Sequence, residues 1–172
     1  MSDDAPIIRT CDSIYLLSSS MECYSCRKPS PIYALMLLPP FASSDADDDW
    51  DEDECMVRHI ETMPSTIVEA LGSRTSGKWR RTDSITLQET YWMNHCEHCD
   101  AKQGDFYVHG PDGAFWPNDE AEMDKIQAER FAGPHDFVDG DMSYSGAMID
   151  WRDRLHGVTP AVNKLVKPRK RK

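Results

Sequence analysis

Two short cysteine pairs constrain the fold of this chain more than any other feature of its sequence. Cys23-Tyr-Ser-Cys26 and Cys96-Glu-His-Cys99 share the CxxC spacing, in which a tight turn directs both sulfurs toward one point. Two such turns together supply the four thiolates of a tetrahedral zinc site. The sequence therefore predicts one zinc ion that is bound by Cys23, Cys26, Cys96 and Cys99.

The predicted zinc has a structural role, because four protein thiolates leave no coordination position open for catalysis. The segment between the pairs, residues 27–95, is unusually long. Loop-closure entropy grows only logarithmically with length, so an insertion that folds can still bring the two pairs together. Structural disulfides and a redox dithiol are the alternatives. The first is disfavoured in a reducing compartment, and the second needs only one CxxC pair.

Two histidines and two further cysteines are candidates for additional metal chemistry. His95 and His98 flank the second pair and are alternative ligands, although four sulfurs already complete the coordination shell. Cys55 and His59 have the i, i+4 spacing of a second site on a helix, but no further ligands for it are evident. We therefore expect Cys11 and Cys55 to be buried or free thiols.

The segments around both pairs resemble the zinc-ribbon group of proteins. The resemblance is carried by MECYSCRKPSPIYAL, by YWMNHCEHCDAKQGDF and by GDFYVHGPDGAFWP. More narrowly, the chain resembles uncharacterised bacterial proteins with a YW-x-N-x-CxxC-x4-GDF segment. The resemblance implies a metal knuckle at the turn of each of two hairpins, but zinc ribbons serve many tasks and compact ribbons lack the long insertion.

Hydrophobic patterning predicts an α+β fold, in which a small antiparallel sheet carries the zinc-ribbon-type knuckles and helices lie at the periphery. Residues 14–17 and 32–38 predict strands, and the second is apolar on both faces, which indicates burial between two layers. Residues 62–72 predict a helix, with Gly72 at its C-terminal end, and residues 73–83 predict a loop.

The C-terminal half predicts a hairpin followed by two helices. Asp112-Gly113 is a favoured turn pair between two aromatic-rich runs, which predicts a β-hairpin over 104–117. Helices are expected from Asn118 to about residue 130 and over 146–156. Three aromatic side chains of these elements are expected to be buried: Phe106, Phe115 and Trp151.

Charge is distributed unevenly along the chain. The 30 acidic and 19 basic residues give a formal net charge of −11, which argues against broad non-specific binding to nucleic acid. Acidic residues crowd the segment 45–54, and basic residues crowd the last nine positions. With 172 residues, the chain is expected to form a single zinc-stabilised domain over 1–163, with an acidic loop at 43–54 and a disordered basic tail at 164–172.

Familiar catalytic motifs are incomplete in this sequence. GSRTSGK at 72–78 approaches a phosphate-binding loop, but Trp79 occupies the position that needs Ser or Thr. No apolar run is long enough to span a membrane, and the N-terminus lacks a signal pattern. These features predict a cytoplasmic protein without a membrane partner, and more readily a non-enzyme than an enzyme.

Two functions fit these features. The first is a non-catalytic, zinc-stabilised module that binds a protein partner through an acidic surface, as a bacterial immunity or inhibitor protein would. The alternative is a nucleic-acid-associated zinc-ribbon factor that uses the basic tail and a patch in which cations and an aromatic ring can meet phosphate and base. The patch consists of Arg74, Lys78, Trp79, Arg80 and Arg81.

Overall fold

The computed structural model describes residues 8–37, 41–43, 55–144 and 155. Most of the predicted acidic loop, the basic tail and Trp151 lie outside these residues, so the expectations about them stay predictions. Of the predicted last helix, only Leu155 is described, and it is helical and buried.

The described chain is an α+β fold of antiparallel sheets with few and short helices, as predicted. In chain order its elements are β1 (Ile8–Glu22), β2 (Pro29–Leu37), β3 (Phe41–Ser43), β4 (Cys55–Thr62), α1 (Ser65–Arg74), β5 (Trp79–Ser84), β6 (Glu89–His95), β7 (Lys102–Gln103), α2 (Asp105–His109), α3 (Glu120–Met123) and β8 (Gln127–Tyr144). None of the described helices has the length and apolar character that crossing a lipid bilayer requires.

The larger sheet is antiparallel, and its strand pairings form a closed cycle. β1 pairs with β2 and with β8, and β4 pairs with the same two strands. β3 adds a short ladder to the N-terminal end of β1. The smaller sheet has the order β5-β6-β7. The ladder between β1 and β2 continues to Glu22 and Pro29, directly beside the turn, and this fixes the position of the first cysteine pair.

β2 is buried on both faces from Ile32 to Leu37, as the apolar run at 32–38 predicts, and its neighbour β1 is buried on both faces from Ile14 to Leu17. Alternate side chains of a strand point to opposite faces, so each strand contributes to two separate cores. One core contains α1 and the start of β5, and its members include Ile14, Leu16, Tyr33, Leu35, Leu37, Ile67, Leu71, Trp79 and Phe131. The other core contains the α2–α3 region, and its members include Leu17, Ile32, Met36, Val108, Phe115, Met123 and Leu155.

Three predicted elements differ from those observed. The predicted loop at 73–83 contains the end of α1 and most of β5. The predicted hairpin at 104–117 begins instead with α2, because burial of Val108 and His109 on one side favours a helical turn. The predicted helix from Asn118 is limited to α3, since β8 pairs with β1 from Gln127 onward. This ladder supplies hydrogen-bond partners to backbone groups of β1 that would otherwise be unpaired. The stabilisation from these hydrogen bonds outweighs the local helix propensity.

The predicted burial of aromatic residues is confirmed for Phe115 and is wrong for Phe106. Phe115 is 1% exposed, whereas Phe106 is 76% exposed on the outer side of α2. Phe106 lies on the side of α2 that faces solvent, whereas Phe115, after this helix, packs into the second core.

We expect truncation of these two phenylalanines to have unequal effects on stability. Phe115→Ala should lower the free energy of unfolding by about 3–5 kcal/mol, because it leaves a cavity in the second core. Phe106→Ala, the matched control, should change it by no more than about 0.5 kcal/mol. Chemical denaturation of both variants measures the difference. Equal effects would contradict the observed packing of α2.

Candidate metal centre

The two cysteine pairs adopt the same backbone conformation at the ends of two different strands. We call residues 23–28 the first knuckle and residues 96–101 the second knuckle. In the first knuckle, Cys23 N donates to Lys28 O at 2.9 Å and Arg27 N donates to Cys23 O at 2.9 Å. The equivalent hydrogen bonds in the second knuckle measure 2.9 and 3.0 Å. The residue after each pair, Arg27 or Asp100, has a left-handed backbone with φ of 60° or 62°. This conformation turns the chain sharply enough to close the knuckle.

The four sulfur atoms of the two knuckles come together in one cluster. All of them lie within 4.8 Å of one another. Cys23 Sγ lies 3.7 Å from Cys99 Sγ, and Cys26 Sγ lies 3.6 Å from Cys96 Sγ. These separations exceed the roughly 2.05 Å of a disulfide bond, and the four thiols are free. An ideal tetrahedron with metal–sulfur bonds of about 2.3 Å places its sulfurs about 3.8 Å apart. The cluster therefore has the dimensions of a site for a single metal ion.

The electrostatics of the second knuckle favour a thiolate at Cys96. Burial raises the pKa of this thiol, but backbone N–H groups of Cys99 and His98 and the two sulfurs of the first knuckle more than compensate. The resulting pKa of Cys96 is about 6. Opposed effects act at Cys26, where the Lys28 backbone lowers the pKa, while desolvation and the three other sulfurs raise it to about 11. Four thiolates can therefore coexist only when a cation balances their charge.

One side-chain amide and one backbone N–H are among the donors to the sulfurs. Gln103 Nε2, on β7, donates to Cys23 Sγ at 3.1 Å. The backbone N of His98 donates to Cys96 Sγ at 3.4 Å. Gln103 is buried, so its hydrogen bond replaces solvation that the sulfur has lost. Such donors orient the ligands of a metal site and stabilise their negative charge.

Asn94 connects the two sheets beside the cluster. Its Oδ1 accepts from Tyr33 N at 2.8 Å, and its Nδ2 donates to Tyr33 O at 2.8 Å. The side-chain amide thus reproduces the pair of hydrogen bonds that a neighbouring strand would offer to β2. Since Asn94 precedes Cys96 by two residues, this contact holds the second knuckle at a fixed distance from the first.

Further hydrogen bonds join the knuckles and fasten the second one to β5. The hydroxyl of Ser30, just after the first knuckle, accepts from Glu97 N at 2.9 Å. His98 Nε2 lies 3.0 Å from Pro29 O. Asp100 accepts from Lys78 Nζ at 2.9 Å and from Arg80 at 2.6 Å. These hydrogen bonds to Lys78 and Arg80 lower the pKa of Asp100 to about 2.

Neither histidine that flanks the second pair directs its ring at the sulfurs. His95 is buried, with Nε2 3.3 Å from the Thr82 hydroxyl and Nδ1 2.9 Å from Met93 O. Desolvation lowers the pKa of His95, which keeps its ring neutral. The ring of His98 faces Pro29 O. The four-sulfur set is the only possible metal-binding cluster of three or more such groups among the described residues.

The remaining cysteines lie apart from the cluster. Cys11 is buried in the first core, as expected, and desolvation together with nearby Asp12 and Asp136 raises its pKa to about 12. Such a thiol is inert at neutral pH. Cys55 is the first residue of β4, so the helix on which Cys55 and His59 would form a second site is not observed.

The basic patch of the nucleic-acid alternative is largely engaged in internal contacts. Arg74 forms a two-pronged ion pair with Glu129 and covers the Phe131 ring at 4.9 Å. Lys78 and Arg80 both bind Asp100. Trp79, the aromatic residue of the patch, is buried in the first core and is not accessible to a nucleic-acid base. Arg81 alone among the five is exposed without an ion pair in the described part of the chain.

Comparison with protein-family models, with curated proteins and with solved structures found no match to this chain. The site is therefore interpreted from its own geometry. Sequence reasoning missed Asn94, Ser30 and Gln103, which support the cluster. A signal for Asn94 existed, since it is a polar residue in the apolar run that precedes the second pair.

We expect Asn94→Leu, which is similar in size, to lower the free energy of unfolding by about 2–6 kcal/mol. The substitution leaves Tyr33 N and O buried without partners, at about 1–3 kcal/mol each. Thr90→Ala, which removes an exposed hydrogen bond to Asp83 from the same strand, is the control and should cost about 0.5 kcal/mol or less. Urea denaturation at constant metal concentration measures both. An Asn94→Leu variant with an unchanged free energy of unfolding would show that the amide is not needed to join the sheets.

Proposed function

We propose that this chain is a non-catalytic protein-interaction module whose fold depends on one structural zinc ion. The observation that carries the proposal is the cluster of four sulfurs, drawn in pairs from the two sheets. Thiolate tetrahedra select zinc or iron, and zinc suits a joint between sheets because it has no redox chemistry of its own. Four protein ligands fill its coordination shell, so we assign the ion to structure and not to the activation of water.

The zinc ion would act as a joint between the sheets. Cys23 and Cys26 belong to the turn between β1 and β2, whereas Cys96 and Cys99 belong to the turn between β6 and β7. Besides the sulfur cluster, hydrogen bonds join the two turns, among them those from Glu97 N to the Ser30 hydroxyl and from Gln103 Nε2 to Cys23 Sγ. A bound ion adds coordination bonds that are absent in the unfolded chain, so its binding energy contributes directly to folding.

An interaction role is supported by large apolar side chains that stay in contact with solvent. They include Ile85, Leu87, Phe106 and Tyr107, with exposed fractions between 43% and 89%. Exposed aromatic residues are typical of protein interfaces and are costly to retain without one. The net charge of −11 favours a protein partner over a phosphate backbone. An immunity or inhibitor protein is the best-fitting class, because such proteins act by occupying a surface.

We expect purified protein to contain one zinc ion per chain and to unfold when the ion is removed. Structural zinc contributes about 10–16 kcal/mol of apparent binding energy, which exceeds the stability of most domains of this size. Cys23→Ser and Cys99→Ser should each reduce zinc content and folding, whereas Ser25→Ala within the first knuckle should affect neither. Elemental analysis and circular dichroism with a chelator provide the readout. A metal-free chain with unchanged thermal stability would contradict the structural role.

The interaction role is tested by capture on the immobilised, zinc-loaded chain followed by reconstitution with the purified captured protein. We expect a complex of defined stoichiometry that forms in nuclease-treated extracts. Nucleic acid as the only retained species, with a steep loss of binding as salt rises, would favour the alternative that relies on the basic tail. Metal-depleted chain is the control for binding to unfolded protein.

A further inference from the structure

Two adjacent aromatic side chains project from α2 into solvent. Phe106 is 76% exposed and Tyr107 is 68% exposed. Their rings meet edge to face, with centroids 5.4 Å apart. An isolated exposed apolar residue needs no explanation, but a paired aromatic surface is the usual composition of an interface centre.

The helix that carries this aromatic pair is firmly anchored. Its other three residues, Asp105, Val108 and His109, are all buried. Gly113 packs directly against its C-terminal carbonyls, and a Cβ at this position would lie 2.5 Å from Val108 O and 2.8 Å from Tyr107 O. The two rings are therefore presented from a fixed backbone. Such preorganisation lowers the entropy that is lost on binding.

The turn between β5 and β6 extends the apolar surface. Ile85 is 89% exposed and Leu87 is 43% exposed. Tyr91, on β6, links this turn to the start of α2. A Cβ at Gly104 would lie 3.6 Å from the Tyr91 hydroxyl, which also hydrogen-bonds with the Asp105 backbone and the Ser84 side chain, next to Phe106 and Ile85. We call the surface formed by Ile85, Leu87, Phe106 and Tyr107 the apolar patch.

Carboxylates flank the apolar patch. Asp83, Glu89 and Asp112 are exposed, and none of them forms an ion pair within the described part of the chain. Among the cations of the neighbouring strands, Arg81 is exposed and Lys102 donates to Asp83 O at 2.6 Å, so the three carboxylates still outnumber these two cations. The rim of the patch is therefore negative, so it attracts a positively charged surface and repels a phosphate backbone.

We infer that the apolar patch is the docking surface of this chain, and that its partner is a protein segment with apolar side chains flanked by Lys or Arg. The inference rests on the proposed interaction function and specifies which surface performs it. The aromatic pair fills an apolar pocket of the partner, and the carboxylates contact the cationic side chains around it. Charges at such a rim act mainly on the rate of association, whereas buried aromatic anchors act on dissociation.

The probe is a random twelve-residue peptide library displayed on phage and selected against the zinc-loaded full chain. We expect the enriched peptides to combine aromatic or aliphatic residues with Lys or Arg. A synthetic consensus peptide should lose at least about tenfold in affinity on Phe106→Ser with Tyr107→Ser. Asp83→Asn with Glu89→Gln and Asp112→Asn should slow its association and remove most of the salt dependence.

Tyr24→Ser is the matched control, because Tyr24 is an equally exposed aromatic residue in the first knuckle, and it should leave peptide affinity unchanged. Zinc content and circular dichroism verify that each variant is folded. Acidic consensus peptides, or a peptide whose affinity survives the double aromatic substitution, would overturn the inference. A captured protein that binds the aromatic variant as well as it binds the parent chain would overturn it too, but would leave the interaction function intact. Binding of single-stranded RNA in place of any peptide would overturn both.

Discussion

The convergence of four sulfur atoms is the constraint on which the rest of the structure depends. Two CxxC turns that are separated by about seventy residues must meet within a few ångströms, so the chain between them has to form a defined frame. The closed cycle of β1, β2, β4 and β8 fixes one turn, and β6 with its neighbours fixes the other. The frame brings the sulfurs together, but the pKa of Cys96 is lowered to about 6 while that of Cys26 is raised to about 11, so a bound cation would be needed to favour four thiolates.

The hydrogen bonds around the cluster have a different role from the metal. A zinc ion supplies much binding energy, but it restrains the two knuckles only through four flexible side chains. Asn94, Ser30 and Gln103 act at specific backbone or sulfur atoms, so they select one relative orientation. Their burial makes each of these bonds expensive to lose. These three polar side chains would therefore fix the orientation of the joint that the proposed metal ion forms.

The sequence predicted what local rules determine and missed what tertiary contacts decide. The CxxC spacing predicted that the four cysteines converge, and the apolar run at 32–38 predicted a strand buried on both faces; the structure confirms both. The segment that begins at Gly104 is ambiguous, because its aromatic and aliphatic residues fit a strand or a short helix equally well. Burial of Val108 and His109 decides for the helix. Burial of Phe106 was predicted from its place in an aromatic-rich run, whereas its exposure depends on which side of α2 packs against the core.

The exposed Phe106 lies on an element that follows the second knuckle directly along the chain. β6 extends from the turn of Ile85 and Leu87, past Tyr91, to the second knuckle, and β7 leads from that knuckle directly into α2. Both parts of the patch are thus continuous with strands whose position depends on Cys96 and Cys99. Tyr91 joins the two parts midway through its contacts with Ser84 and Asp105. We therefore propose that a metal ion bound at one end of β6 would keep the aromatic surface at the other end ordered, so that a site without an open coordination position would still contribute to binding.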